Sequence, residues 1–376
     1  MTKTSPSDQP ASAVASLCAA LGLGADKSLT PAAFRGAWKA FGRLGLMGLP
    51  FPRRCGGSGR SLAETVSALE ALGRHAGFDG LALSVGAQMW AVGAPLLEFG
   101  SPEQRKAFLE PLCRGRAAGA PAMTEKGAGS GVLGMKTEAA AEGSGCRVTG
   151  EKTCVTNAPF ADFLLVWARV AGRQGPMSLD CLIIPKGTRG LSVSPLRWEL
   201  GPAGAVSGTV RLKGCVVPAG RRLGRSCQGL TVFLHAMAQE RRFILAPAVG
   251  AMDKRLEETA AFARERTQSG RPIGSFQAVA HRLADMKIRL EACRALLRSA
   301  ALKDAGDDAH SAAVKAFISE SWVANCLDAV ELHGSRGCLD AGLAAEVGAA
   351  LASRLMSGTN EIQKNLIAAR LGLKSA

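Results

Sequence analysis

Apolar positions recur at three- and four-residue spacing through residues 11–118, which predicts a helical first third. "TPAAFRGAWKAFGRLGLMGL" (30–49) opens on Thr30-Pro31, a helix-start signal. "SLAETVSALEALGRH" (61–75) places Glu64 three residues after Ser61, the spacing of a capping box, and "SPEQRKAFLEPLCRG" (101–115) starts on Ser101-Pro102 with Gln104. Near 119 the pattern changes to short β-branched runs bounded by Gly, Pro and Asn: 146–170, 179–187, 190–196 and 208–218 read as strands. Helical spacing returns at about 229. Residues 233–267 form one long helical pattern in which Pro247 predicts a kink, and further helices are expected over 276–305, 308–333, 342–353 and from Asn360. Residues 1–10 are polar, contain proline and are expected to fray.

This order predicts an α+β chain: an N-terminal helical domain over 1–118, a middle β-domain (sandwich or barrel) over 119–228, and a C-terminal helical bundle over 229–376. The long closing helices suit a four-helix bundle. No stretch of about 18 consecutive apolar residues suggests a membrane span, and the N-terminus has no charged segment followed by an apolar run, so no signal peptide is expected.

Composition changes this picture little. The chain has 376 residues, 47% of them apolar and 20% charged, which is ordinary for a globular protein. A net charge of +15 favours acidic partners or phosphorylated ligands, but "GRRLGR" (220–225) is its densest cluster, and the basic residues lack the interleaved aromatics of a nucleic-acid surface. No nucleic-acid partner is expected. The eleven cysteines include no C-x-x-C, and the five histidines show no metal spacing, so reduced thiols in a cytoplasmic protein without a metal are expected.

Six blocks, in order, resemble those of acyl-CoA dehydrogenases: "GLMGLPFPRRCGGSG" (45–59), "FGSPEQRKAFLEPLCRG" (99–115), "MTEKGAGSG" (123–131), "GEKTCVTNAPFAD" (150–162), "ERTQSGRPIGSFQAVAHRLADM" (265–286) and "GTNEIQKNLIAARLGL" (358–373). The resemblance covers essentially the whole chain. It is similar in particular to the branch that acts on carrier-protein thioesters, the prolyl-carrier-protein dehydrogenases, in "TNAPFAD" (156–162), "SRGCL" (335–339) and "SGTNEIQ" (357–363). It implies an FAD enzyme that oxidises the Cα–Cβ bond of an acyl thioester carried by CoA or a carrier protein. Electrons would pass to an electron-transfer flavoprotein or oxygen. A homodimer or homotetramer is implied, with FAD near a subunit interface; a hetero-oligomer is the alternative.

Many family members carry their base as a Glu two residues before the C-terminal Gly-Thr's Thr, where this chain has Ser357. One branch instead places it in an E-R pair on the first long C-terminal helix. "ERRFILAPAVG" (240–250) matches that pattern and makes Glu240 the expected base. The alternative is a solvated helix-surface carboxylate paired with Arg241 or a nearby Arg. The resemblance gives the Ser357 backbone N–H an oxyanion role, against a plain loop residue at a helix entry. It also assigns flavin contacts to Thr124, Ser130 and Thr156, with Arg266 and Gln277 reaching the FAD of a neighbouring subunit. Thr359 and Glu361, with Gln363 behind them, are the C-terminal FAD contacts. Gly127, Ala128 and Gly129 would let backbone approach the ring.

The chain departs from the family at Lys126, Gly131, Cys154 and Ser269, at Gly334-Ser335, and in "EVGAALASRLM" (346–356), which lacks the usual Arg-Asp pair. Two further functions therefore stand beside the dehydrogenase: a flavin-dependent monooxygenase on the same fold, and a non-catalytic partner subunit.

Overall fold

The computed structural model describes residues 9–24, 29–303 and 306–373. Most of the expected frayed N-terminus, residues 1–8, lies outside them, while Gln9 and Pro10 already belong to a helix, Gln9–Ala20. Helices Pro31–Leu44 and Leu62–Ala76 follow, started as their sequences predict. The Ala33 N–H donates to Thr30 Oγ1 at 3.2 Å, and Ser61 and Glu64 satisfy each other's backbone N–H groups. Ser101 and Gln104 form a second reciprocal cap.

The helix Gly80–Phe99 is long and apolar enough to cross a membrane, although Ser84 and Gln88 interrupt its apolar run. It is buried in the protein, as the apolar core helix of a folded chain is. Its middle, Ala87–Gly93, widens to π geometry, and there Gln88 reaches out of the helix. Gln88 Nε2 donates to the carbonyls of Leu112 (3.3 Å) and Ala117 (3.4 Å), and its Oε1 accepts from the N–H of Gly119. One buried amide thus ties the helical domain to the first strand.

Eight strands form one mixed sheet: β1 Gly119–Ala122, β2 Glu138–Glu142, β3 Gly145–Thr156, β4 Phe163–Val170, β5 Leu179–Pro185, β6 Leu191–Leu196, β7 Ser207–Val217 and β8 Arg222–Leu223. The order is β6-β7-β3-β2-β4-β5-β8, with β1 parallel to β4. β4 and β5 pair Leu164 with Ile184, Leu165 with Ile183 and Val166 with Leu182. Both faces of β4 are covered, which explains its unbroken apolar run. Leu164 and Val166 pack on Val148, Val210 and Leu212 of the other half of the sheet. Phe163, Leu165 and Trp167 pack on Phe108, Leu112 and Val232 of the helices. The middle domain therefore folds its sheet over one core and lays its outer face on helices.

The expected single helix over 233–267 is two: Gly229–Phe243 and Ala246–Glu265. The break falls at Ile244-Leu245, and Pro247 stands in the first turn of the second helix, where its missing N–H costs nothing. Gln277–Leu302 and Asp308–His333 complete the four long C-terminal helices; residues 304–305 of the predicted 276–305 helix lie outside the described residues. Ala341–Ser353 and Asn360–Arg370 follow. The Leu62–Ala76 and Ala246–Glu265 helices cross at glycines. A Cβ on Gly73 would overlap the Pro247 carbonyl, and one on Gly250 the Glu70 carbonyl. One apolar core spans both helical regions, from Phe41 and Leu69 to Trp322 and Val314.

Candidate active site

Glu240 sits in the last turn of the Gly229–Phe243 helix, just before the break. Its carboxylate meets the loop ahead of the final helix: Ser357 Oγ donates to Glu240 Oε2 at 3.4 Å, across 117 residues of sequence. Protein surrounds the carboxyl, and this burial pushes its pKa up to about 7 against the opposing Ser357 hydrogen bond and Arg241 charge. The residue as a whole is half-buried. Neither Arg241 nor another described Arg forms an ion pair with it, unlike the solvated-carboxylate alternative. The Arg241 guanidinium is buried, and Nε donates to the Ser357 carbonyl at 3.3 Å.

The loop itself is strained and held from behind. Ser357 has φ 53° and Gly358 φ 88°, left-handed values that a serine adopts only under constraint. The Ser357 carbonyl accepts from Arg241 and from Gln363 Nε2 (3.2 Å). The Gly358 carbonyl accepts from Lys315 Nζ (2.9 Å) and Gln363 Nε2 (2.8 Å). In a trans peptide the following N–H points opposite the carbonyl, so the Gly358 and Thr359 amides are turned away from these donors. Among the described residues, the amides of Ser357, Gly358 and Thr359 have no acceptor. Three successive free N–H groups at a helix entry, beside a carboxyl of raised pKa, suit an oxygen that gains negative charge while a proton leaves nearby. Thr359 caps the final helix, accepting from the Ile362 N–H at 3.4 Å, and Glu361 is exposed next to it.

A second group of expected residues lies on the middle domain. Thr124 and Ser130 are exposed and Thr156 is half-buried at the end of β3. The loop between Thr124 and Ser130 is anchored by a pair that lies inside two of the resembling blocks but carries no sequence signal of its own. Lys152 Nζ, fully buried, donates to Glu125 Oε1 at 2.8 Å and to the Met123 carbonyl at 3.0 Å. Glu125 also accepts the N–H groups of Lys136 (2.6 Å) and Thr137 (2.9 Å). Twenty-seven residues separate the pair, and no spacing rule links them. Gly127, Gly129 and Gly131 are not in left-handed conformations. A Cβ added at any of them would meet no atom within 4 Å, so their backbone faces open space. Cys154 is half-buried with φ 54°, and Lys126 is exposed.

Arg266 and Gln277 are exposed on either side of a small hairpin that follows the Ala246–Glu265 helix. Among the described residues no hydrogen bond or ion pair joins them, or the Thr124 loop, to Glu240. Within one chain the expected residues thus fall into three groups, and Ser357 joins the base to the C-terminal set, bonding Glu240 on one side and Gln363 on the other. Lys315 is the other residue that sequence reasoning missed; as a lone lysine in an alanine-rich helix it carried no signal. All eleven cysteines are free thiols, and among the described residues no three His, Cys, Asp or Glu side chains gather as a metal site would.

Three family descriptions match the chain in order: acyl-CoA dehydrogenase N-terminal domain over residues 25–116, middle domain over 120–215 and C-terminal domain over 227–372. An L-prolyl-[peptidyl-carrier protein] dehydrogenase of Pseudomonas fluorescens is 36% identical over 341 residues, covering 89% of this chain and 90% of the relative. A probable acyl-CoA dehydrogenase of Bacillus subtilis, YngJ, is 35% identical over 89% of each. Among solved structures, the prolyl acyl carrier protein oxidase AnaB superposes with a TM-score of 0.91 at 36% identity, covering 98% of this chain and 100% of that one. The FAD complex of PigA gives 0.92 at 32% identity, with both chains fully covered.

Proposed function

The chain belongs to the acyl-CoA dehydrogenase family, and we propose that it is an FAD-dependent dehydrogenase of acyl thioesters with Glu240 as its base. The observation that carries this reading is the Glu240–Ser357 contact, a poised carboxyl beside free backbone donors.

The residues present fit the flavin. The loop 126–131 offers backbone facing open space, flanked by the exposed hydroxyls of Thr124 and Ser130, on a base fixed by the buried Glu125–Lys152 pair. Thr156, Thr359 and Glu361 complete the contacts assigned within one chain, and the exposed Arg266 and Gln277 suit contacts to the FAD of a second subunit in a homodimer or homotetramer. Bound FAD supplies the acceptor for the hydride from the β-carbon. Glu240 takes the α-proton onto its carboxylate. A pKa of about 7 leaves it ionised often enough to accept, yet basic enough to compete for a weakly acidic C–H. The Ser357 N–H holds the thioester carbonyl oxygen as charge gathers on it, a task that needs no carboxylate at position 357.

The substrate we favour is an acyl group on a carrier protein in secondary metabolism. The names of the similar Pseudomonas dehydrogenase and of AnaB support this; the net charge of +15 suits an acidic carrier and the phosphates of CoA equally. Electron-transfer flavoprotein and oxygen are the two acceptors to compare. The departures at Lys126, Gly131, Cys154 and Ser269 are expected to weaken FAD binding without abolishing it.

Purified protein, reconstituted with FAD and mixed without oxygen with prolyl and other acyl thioesters on carrier protein or CoA, tests the reading. Bleaching of the flavin supports it. Turnover that requires oxygen and a flavin reductase makes the protein a monooxygenase, and failure to retain any FAD makes it a non-catalytic partner.

A further inference from the structure

We propose that Lys315 is a positioning residue for thioester oxidation: its buried ammonium clamps the two sides of the turn that presents the Ser357 amide beside Glu240. This rests on the dehydrogenase reading above.

Lys315 lies on the Asp308–His333 helix and is fully buried. An ammonium has three donors and no acceptor. Here all three are used, on the Arg354 carbonyl at 2.9 Å, the Gly358 carbonyl at 2.9 Å and Asn360 Oδ1 at 2.8 Å. Arg354 and Gly358 bracket Ser357. The Arg354 carbonyl also accepts the Asn360 N–H at 3.0 Å, closing the turn. Arg241 and Gln363 hold carbonyls from Ser357 onward, but among the described residues only Lys315 bonds carbonyls on both sides of Ser357.

Asn360 is itself oriented by the same helix. Its Nδ2 donates to Ser319 Oγ at 3.0 Å and to Glu320 Oε1 at 2.8 Å. The clamp therefore joins one rigid helix to a loop whose serine sits in left-handed conformation, a state that persists only when its surroundings over-determine it. Burying an ammonium is costly, and burial pulls the Lys315 pKa down to about 7. A methionine would fill the same volume without that cost but would remove one donor from each of three acceptors, and with it the only link between the Arg354 and Gly358 carbonyls among the described residues. The placement thus spends stability on the geometry of one turn.

Lys315→Met and Lys315→Gln test this by two measurements on full-length protein. The first is amide hydrogen exchange without substrate. The Asn360 N–H should exchange about tenfold faster in Lys315→Met, while amides of β4 and β5 stay as in wild type and report an intact fold. The second is anaerobic flavin reduction by the thioester that reduces wild type. The rate constant should fall roughly 10- to 100-fold, the scale expected for about an ångström of misplacement, with KM changed less than about threefold. Lys315→Gln, which keeps a donor, should lie between Lys315→Met and wild type in both.

Unchanged exchange at Asn360 overturns the proposal. So does faster exchange with undiminished reduction, or a lower melting temperature with an unaltered rate per bound flavin, since these mark a purely structural lysine. A wild-type enzyme that no thioester reduces refutes the dehydrogenase reading and the positioning role with it. A wild type that is reduced no faster than Lys315→Met refutes the positioning role alone.

Discussion

Replacing Lys152 by methionine keeps the length of the side chain and removes its charge from one of the driest places in the middle domain. Lys152 is 0% exposed and Glu125 8%, and they meet at 2.8 Å. In the variant, Glu125 keeps the Lys136 and Thr137 amides but loses its counter-charge. Breaking a buried pair by removing one partner costs about 3–5 kcal/mol. At about 2–4 °C per kcal/mol, the melting temperature should fall by roughly 6–20 °C. Adding Glu125→Gln removes the stranded charge, and the double variant should recover about 2 kcal/mol or more of the loss.

The sign of the pH effect also follows. Burial raises the Glu125 pKa, but the Lys152 and backbone hydrogen bonds outweigh it, and the net folded value is lowered. A lowered carboxyl pKa gives stability that is present above the unfolded pKa and lost as pH falls through the folded one. The gap between wild type and Lys152→Met should therefore narrow in acid. Calorimetry measures the stabilities. An FAD titration should show binding weakened about tenfold, because Glu125 anchors the loop carrying Thr124 and Ser130. A Lys152→Met protein within about 1 kcal/mol of wild type, or a double variant no more stable than the single, would refute the reasoning.

Three further outcomes are expected. The rate of anaerobic flavin reduction should rise with pH through about 7, as Glu240 ionises; a profile flat from roughly pH 5 to 9 would remove Glu240 as the base. Ser357→Ala keeps the backbone N–H, so it should not show the ~100-fold loss that follows removal of an oxyanion donor. It also deletes a hydrogen bond that holds the Glu240 pKa down, so the midpoint of the pH profile should move up. Gly73→Ala should cost about 3 kcal/mol in thermal unfolding, because its Cβ would overlap the Pro247 carbonyl at the helix crossing.

Where local chemistry decides structure, the sequence was legible. The caps at Thr30, Ser61 and Ser101 form as their spacing implies, and β4 follows from its apolar run between turns. β1 (GAPA) and β2 (EAAAE) were missed because alanine, glycine and glutamate carry no strand preference; their partners in the sheet, not their composition, make them strands. The break at Ile244-Leu245 was hidden because helical periodicity runs through it, and Pro247 marks a helix start rather than the kink its position suggested.

The site was legible unevenly for a related reason. Glu240 and Ser357 were found by the resemblance, one through a motif and the other through a missing carboxylate. Lys315 and the Glu125–Lys152 pair act by long-range contact, and no local pattern announces a buried lysine. The same holds for Arg241, whose side chain turns to the Ser357 carbonyl instead of pairing with its neighbour.

The proposed function stands on Glu240 as the group that removes the α-proton. Glu240→Gln, loaded with FAD and mixed anaerobically with the thioester that bleaches wild type, tests that role directly. A normal flavin spectrum is expected, with a bleaching rate reduced by about 100-fold or more, the loss that follows removal of a general base. Bleaching at the wild-type rate in this variant would contradict that role.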